Sequence, residues 1–296
     1  MPSTPARFAS LPARIAVAVA LAACALPAGA ARATAPHEEA VRRTAEAFQK
    51  LEKADVDMLS KTLDRLVADP ALVGPFLARD RQGLLAAAKQ IFDGLQAETH
   101  ITHFYFLDPE PARTCFLRVH SPATFGDVVN RYTFTQAITT KRIGYGKELG
   151  KTAFALRVVK PIRSGDRVVG YMELGEEIDH FLERMKAQTG DDFGLLVDKA
   201  QVDRKELARV RNDDRWDERP DVVLVHSTMW DEARIDLGMP LAKLPATGAV
   251  LEEWQDQGRS FVGGAFPVKN ATGQVVDALF IRHQLAGPPI APATAR

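Results

Sequence analysis

Near residue 100 the apolar residues of this 296-residue chain change their period. Before that point they recur at mostly three- and four-residue steps: Val41, Ala45, Phe48, Leu51, Val56, Leu59, Leu63 and Leu66. That spacing predicts one long amphipathic helix over Glu38–Ala68, ended by Asp69-Pro70. Asp80 stands as N-cap of a second helix carrying Leu84, Leu85, Ala88, Ile91, Phe92 and Leu95. After residue 100 the period is two. Ile101–Leu107, Thr114–His120, Arg142–Glu148, Thr152–Ile162 and Arg167–Gly175 are rich in β-branched and aromatic residues, as strands are. Ser164-Gly165-Asp166 marks a hairpin turn, 128–140 reads as helix or ordered loop, and Glu176–Gln188 as a helix. Helices segregated from a run of antiparallel strands place the chain in the α+β class.

A second, shorter series follows: Phe193–Asp198, Val222–His226, Val250–Trp254, Ser260–Val268 and Gln274–Arg282, with a polar helical stretch at Arg204–Arg211. Val159-Lys-Pro161-Ile162 followed by Arg167-Val168-Val169-Gly170 is echoed by Ala265-Phe-Pro267-Val268 followed by Gln274-Val275-Val276-Asp277. In each, proline is expected to end a strand, a Gly-containing turn follows, and a β-branched pair opens the next strand. Matching order in both halves predicts a duplicated helix-plus-sheet module.

Arg7 and Arg14 precede an uncharged run from Ile15 to Ala31 broken by Pro27 and Gly29. A basic start, an apolar stretch and small residues at its end predict a secretory signal over residues 1–30. The run is short and Ala-rich for a membrane span. Leu21-Ala22-Ala23-Cys24 resembles a bacterial lipobox, so lipidation at Cys24 and ordinary cleavage near Ala28-Gly29-Ala30 are both open. Either route predicts a periplasmic or secreted protein, with a lipid anchor its sole tie to the membrane. No second apolar run approaches the length of a span. The remaining thiol, Cys115, lies in a strand-like segment and is expected buried and inert.

The charge balance, 38 basic against 38 acidic residues, argues against nucleic acid as a partner. No Gly-x-Ser-x-Gly, His-Glu-x-x-His or phosphate-cradling Gly-rich loop is present, so no catalytic residue is assigned. His100 and His103 are three apart on a strand and should face opposite ways; His103 and His120 could meet, but no metal or cofactor is assigned.

Strand alternation selects a polar surface. His103 and Tyr105 share a face, as do Arg118 with His120 and Tyr171 with Glu173, while Arg157 lies between Ala155 and Val159. Polar groups among apolar neighbours suit a small polar ligand. Arg118 or Arg157 would clamp a carboxylate, Glu148 or Glu173 would meet an amine, and Tyr105, Tyr132 and Tyr171 would wall the site. The loop Ser121–Arg131 is expected to close over it, bringing Arg131 to the ligand. Competing roles are structural: a pair between Arg157 and Glu173, and one between Arg118 and Asp127. Lys147 and Lys151 are expected on the solvated surface.

Six segments carry more than this outline: His103-Phe-Tyr-Phe106, Cys115-Phe-Leu-Arg118-Val-His120, Phe125-Gly-Asp127, Glu148-Leu-Gly150, Leu156-Arg157-Val-Val-Lys-Pro161 and Gly170-Tyr-Met-Glu-Leu-Gly175. In this order they resemble segments of double Cache sensor domains, found outside the membrane on bacterial kinases, cyclases and chemoreceptors. The resemblance implies a long N-terminal helix (36–70), a membrane-distal PAS-like module that binds a small molecule (71–188), a second, smaller module (189–287) and a disordered tail (288–296). It implies noncovalent sensing rather than enzymatic turnover. Family members normally continue into a second transmembrane helix and an output domain. Without them, occupancy would pass to a separate sensor kinase, cyclase or chemoreceptor. The competing expectation is a docking protein that has lost its ligand.

Overall fold

The computed structural model describes residues 35–149, 154–211 and 215–285. The expectations for the leader, Cys24, Lys151 and the tail fall outside the described residues.

Helix α1 (Ala35–Leu66) carries the stripe read from the sequence, with Val41, Phe48, Leu51, Leu59, Leu63 and Leu66 buried. Pro70 does more than stop it. Asp69 accepts a hydrogen bond from the Ala71 N–H at 2.9 Å and caps a short helix, α2 (Pro70–Leu77), that periodicity did not predict. Proline at a first helical position has no N–H to leave unpaired, so the same residue ends one helix and starts another. Asp80 caps α3 (Arg81–Glu98) as expected, accepting from the Gly83 N–H at 2.9 Å.

The first sheet comprises β1 (His103–Leu107), β2 (Cys115–Arg118), β3 (Gly144–Leu149), β4 (Phe154–Ser164) and β5 (Arg167–Glu177), with α4 (Tyr132–Thr140) between β2 and β3. Its order is β2-β1-β5-β4-β3, all pairs antiparallel. Helix α5 (Asp179–Thr189) leads to the second sheet: β6 (Asp192–Asp198), β7 (Val222–Ser227), β8 (Ala249–Asp256), β9 (Arg259–Lys269) and β10 (Val275–Gln284), with α6 (Arg204–Arg211) after β6. Its order, β7-β6-β10-β9-β8, repeats that of the first sheet. The repeat bears out the two-module α+β fold.

Three boundaries differ from the sequence-based expectation. Strand β2 stops at Arg118, so His120 lies beyond it. Strand β5 runs through Glu176 and Glu177, which were expected to be helical; α5 starts only at Asp179. Pro161 and Pro267 lie inside β4 and β9 rather than ending them. The described pairing of β3 with β4 ends at Gly144–Val159, and that of β8 with β9 at Ala249–Ala265. Each proline therefore sits past the edge strand, where its missing N–H costs no ladder bond.

The two faces of the first sheet differ. Phe104, Phe106, Leu117, Leu156, Val158, Met172 and Leu174 join the stripe of α1 and the buried residues of α2 and α3 in one apolar core. The opposite face holds Tyr105, Leu107, Cys115, Val159 and Tyr171 against Val129 and against Phe134 and Ala137 of α4. Helix α1 also reaches the second sheet: Phe48 lies 5.8 Å, ring to ring, from both Phe181 of α5 and Phe266 of β9. Lys147, expected on the surface, points to α1 instead; it is buried and paired with Glu52.

Candidate functional site

Register decides which side chains meet. Tyr105 of β1 is opposite Arg118 on one side and Glu173 on the other. Glu173 in turn faces Val159, and Gly175 faces both His103 and Arg157. His103, Tyr105, Arg118, Arg157, Tyr171 and Glu173 thus share the face turned toward α4. Glu148 shares it too, opposite Ala155 on β3.

Tyr105 is the centre. The guanidinium carbons of Arg118, Arg131 and Arg157 lie 5.5, 4.8 and 5.9 Å from its ring centroid. His103 stacks alongside it at 6.0 Å, and His120 meets it edge-on at 4.7 Å. Although β2 has ended, His120 is held in place by the Phe104 N–H, which donates to its Nδ1 at 3.2 Å. An Nδ1 that accepts leaves the ring proton on Nε2. Burial first, then Arg157, His120 and Arg131, pushes His103 down to about 2. His120 is pushed down to about 4, again mainly by burial. Both imidazoles are therefore neutral at pH 7.

Glu173 is fully buried. Arg131 reaches it from the N-cap of α4 at 2.5 Å, and Arg157 from β4 at 2.8 Å. Burial works against this carboxylate, yet the two arginines hold it below the usual range. Both arginines keep a buried Nε–H without a partner. Arg118 instead makes two parallel bonds to Asp127, at 2.7 and 2.6 Å, and one to the Thr124 carbonyl at 2.8 Å. That ties the 121–131 loop to the edge of the sheet.

Glu148 and Tyr171 lie toward α4, at one side of this cluster. Helix α4 receives no side-chain bond from its own N-cap residue, Arg131. Glu148 supplies it, accepting from the Thr133 N–H at 3.0 Å and the Thr133 hydroxyl at 2.7 Å. A carboxylate there also meets the positive end of the helix dipole. Tyr171 packs edge-on against Phe134 at 5.2 Å. Tyr132, expected as a wall, is 45% exposed. Thr133 and Phe134 were not singled out from the sequence; their roles follow from where α4 docks, which no local pattern encodes. Neither expected pair, Arg157–Glu173 nor Arg118–Asp127, excludes ligand contact, because both arginine side chains still face the cluster.

Two charged donors of the cluster stand out. Each oxygen of Glu173 and Glu148 already accepts one hydrogen bond, while the Nε–H groups of Arg131 and Arg157 have no partner among the described residues. Such a set complements an acceptor-rich group, above all a carboxylate.

Among the described residues no helix is long and apolar enough to cross a membrane. The chain is similar to the LuxQ periplasmic domain of Vibrio cholerae, at 12% identity and a TM-score of 0.50, over 82% of this chain and 99% of that one. It is also similar to the sensor domain of the V. cholerae histidine kinase DctB, at 9% identity and 0.45, over 84% and 98%. A third similar structure is the ligand-binding domain of the Campylobacter jejuni chemoreceptor Tlp3, solved with L-valine, at 12% identity and 0.41, over 84% and 90%. No curated protein matches the sequence. The family model described as "Double sensory domain of two-component sensor kinase" matches residues 37–212. With two sheets of the same strand order, one helix running along both, and that match over more than half its length, the chain belongs to the double Cache sensory-domain family.

Proposed function

We propose that the protein is a periplasmic sensor that binds a small carboxylate-bearing molecule, noncovalently, on the α4-facing side of the first sheet. The observation that carries this is the pair of buried Nε–H donors on Arg131 and Arg157, unpartnered among the described residues, beside a carboxylate already paired with the same two residues. The module that binds is 71–188; the ligand is not turned over. Of the nine residues read from the sequence, Arg131, Arg157 and His120 donate to the ligand, and Tyr105 and His103 wall it. Arg118 braces the 121–131 loop, Glu173 positions the arginines, and Glu148 and Tyr171 hold α4. An amine is disfavoured, because Glu173 is already balanced by two arginines and Glu148 is engaged by the Thr133 N–H and hydroxyl.

Binding replaces Glu173 on Arg131, whose side chain is 22% exposed, and so moves the N-terminus of α4. A separate membrane-bound kinase, cyclase or chemoreceptor reads that shift. The test is a thermal-shift screen of carboxylates, amino acids, amines and purines on the mature chain, since a ligand of the native state raises Tm by mass action. Carboxylates should raise it, and Arg157→Lys and Arg131→Ala should each weaken the hit about tenfold or more, the loss of one charged hydrogen bond. A response confined to amines would sink the donor argument. A flat screen would favour a docking role, for which Phe125 and Val128, each more than half exposed on the 121–131 loop, offer the surface.

A further inference from the structure

Strand β5 carries a carboxylate on each face. Glu173 serves the cluster around Tyr105; Glu176, three residues on, turns to the helix side. There it meets Asp55 of α1 and His180 of α5. His180 Nε2 lies 3.7 Å from Asp55 Oδ2 and 3.8 Å from Glu176 Oε2, too far for hydrogen bonds. The three potential ligand atoms all lie within 4.8 Å of one another. Glu176 is fully buried, and among the described residues neither of its oxygens has a hydrogen-bond partner; nor has His180 Nε2. Among the described residues, two carboxylates and an imidazole lone pair thus converge on one buried point, with Arg184 as the cation beside them. Arg184 engages Asp55 alone, at 2.6 Å.

The imidazole is set as a ligand. Its Nδ1 lies 2.5 Å from the Glu177 carbonyl, which can only accept, so Nδ1 carries the proton and Nε2 presents its lone pair to the carboxylates. A backbone carbonyl behind the ring is the usual outer partner of a metal-bound histidine. His100 stacks on the ring at 4.2 Å and 10°, with Phe181 also stacked against it at 4.5 Å, which fixes its plane.

We propose that Asp55, Glu176 and His180 bind a divalent first-row transition ion that clamps α1 to the junction of β5 and α5. One imidazole with two carboxylates favours such an ion over calcium or magnesium, which prefer all-oxygen shells. Two ligands at about 2.1 Å from one ion are at most about 4.2 Å apart, so the cluster needs to close by less than about 1 Å. Arg184, whose side chain is 31% exposed, has solvent to turn into as the ion takes Asp55.

The test uses the full mature chain, stripped with EDTA and titrated with zinc chloride by calorimetry and thermal shift, with magnesium chloride in parallel. One zinc ion per chain should bind and raise Tm, and magnesium should not. Glu176→Gln and His180→Asn should each weaken zinc binding about tenfold or more, the scale on which losing even an outer-shell partner acts. His37→Gln, at a histidine near the start of α1 paired with Glu253 and outside this cluster, should leave it unchanged. Zinc binding undiminished in Glu176→Gln, or no zinc-dependent shift in the native chain, overturns the proposal. If His180→Asn does not fold, Glu176→Gln decides alone, because it preserves shape and removes only charge. The ligand screen above is independent of this outcome.

Discussion

Arg157 Nη1 lies 2.8 Å from Glu173 Oε1 across adjacent antiparallel strands, and both side chains are almost wholly out of water. Such a pair repays its desolvation only while both partners stay. Glu173→Ala leaves the buried Arg157 charge uncompensated and should cost about 3–5 kcal/mol in urea unfolding. The double change Arg157→Met with Glu173→Leu should cost less than Glu173→Ala alone. A double variant weaker than the single one would show that the pair is not the source of the loss.

Gly144 sets how closely α4 approaches the sheet. A Cβ there would lie 2.0 Å from the Thr133 carbonyl oxygen and 2.9 Å from the Ala137 nitrogen, both backbone atoms that cannot rotate away. Gly144→Ala should therefore push α4 off β3 and break the bonds between Glu148 and Thr133. The expected loss is about 1–3 kcal/mol, as for overpacked cores. Because Arg131 immediately precedes the same helix, carboxylate affinity should fall with it. Unchanged melting and binding would show that α4 docks more loosely than this contact implies.

Asp277 in β10 is fully buried, and neither carboxylate oxygen has a hydrogen-bond partner. Burial raises it well above the ordinary carboxyl range; Lys147 pulls it back and Asp198 adds to the rise. In the unfolded chain it titrates near about 3.9. The native state thus keeps a proton that the unfolded state releases, and its contribution is lost as pH rises toward the folded value. Asp277→Asn removes that dependence. Its gain in Tm should be small near pH 4 and grow toward pH 8; a gain that shrank with pH would contradict the buried, protonated state.

Cys115 is fully buried at the start of β2 on the side facing α4, and burial pushes its thiol up to about 11. It should resist Ellman's reagent in the native protein and react fully in guanidinium chloride. Rapid labelling without denaturant would mean that the face around Tyr105 opens readily.

The sequence by itself determined the elements and the face. The three-and-four spacing from Val41 to Leu66, the Asp80 cap and the echo of Val159–Gly170 in Ala265–Asp277 are local patterns, set by the pitch of a helix and the alternation of a strand. They sufficed for α1, α3, both hairpins and the common surface of His103, Tyr105, Arg157 and Glu173. Alternation says which residues share a side; it is silent on what covers that side. Only the tertiary structure decided that Arg131 comes down from α4 onto Glu173, that Glu148 caps that helix, and that Lys147 turns inward to Glu52. The same holds for Asp55, Glu176 and His180, which come from a helix, a strand and another helix up to 125 residues apart in the chain. A buried charge is settled by whichever partner the packing of distant elements brings within reach, and no window of neighbouring residues contains that information.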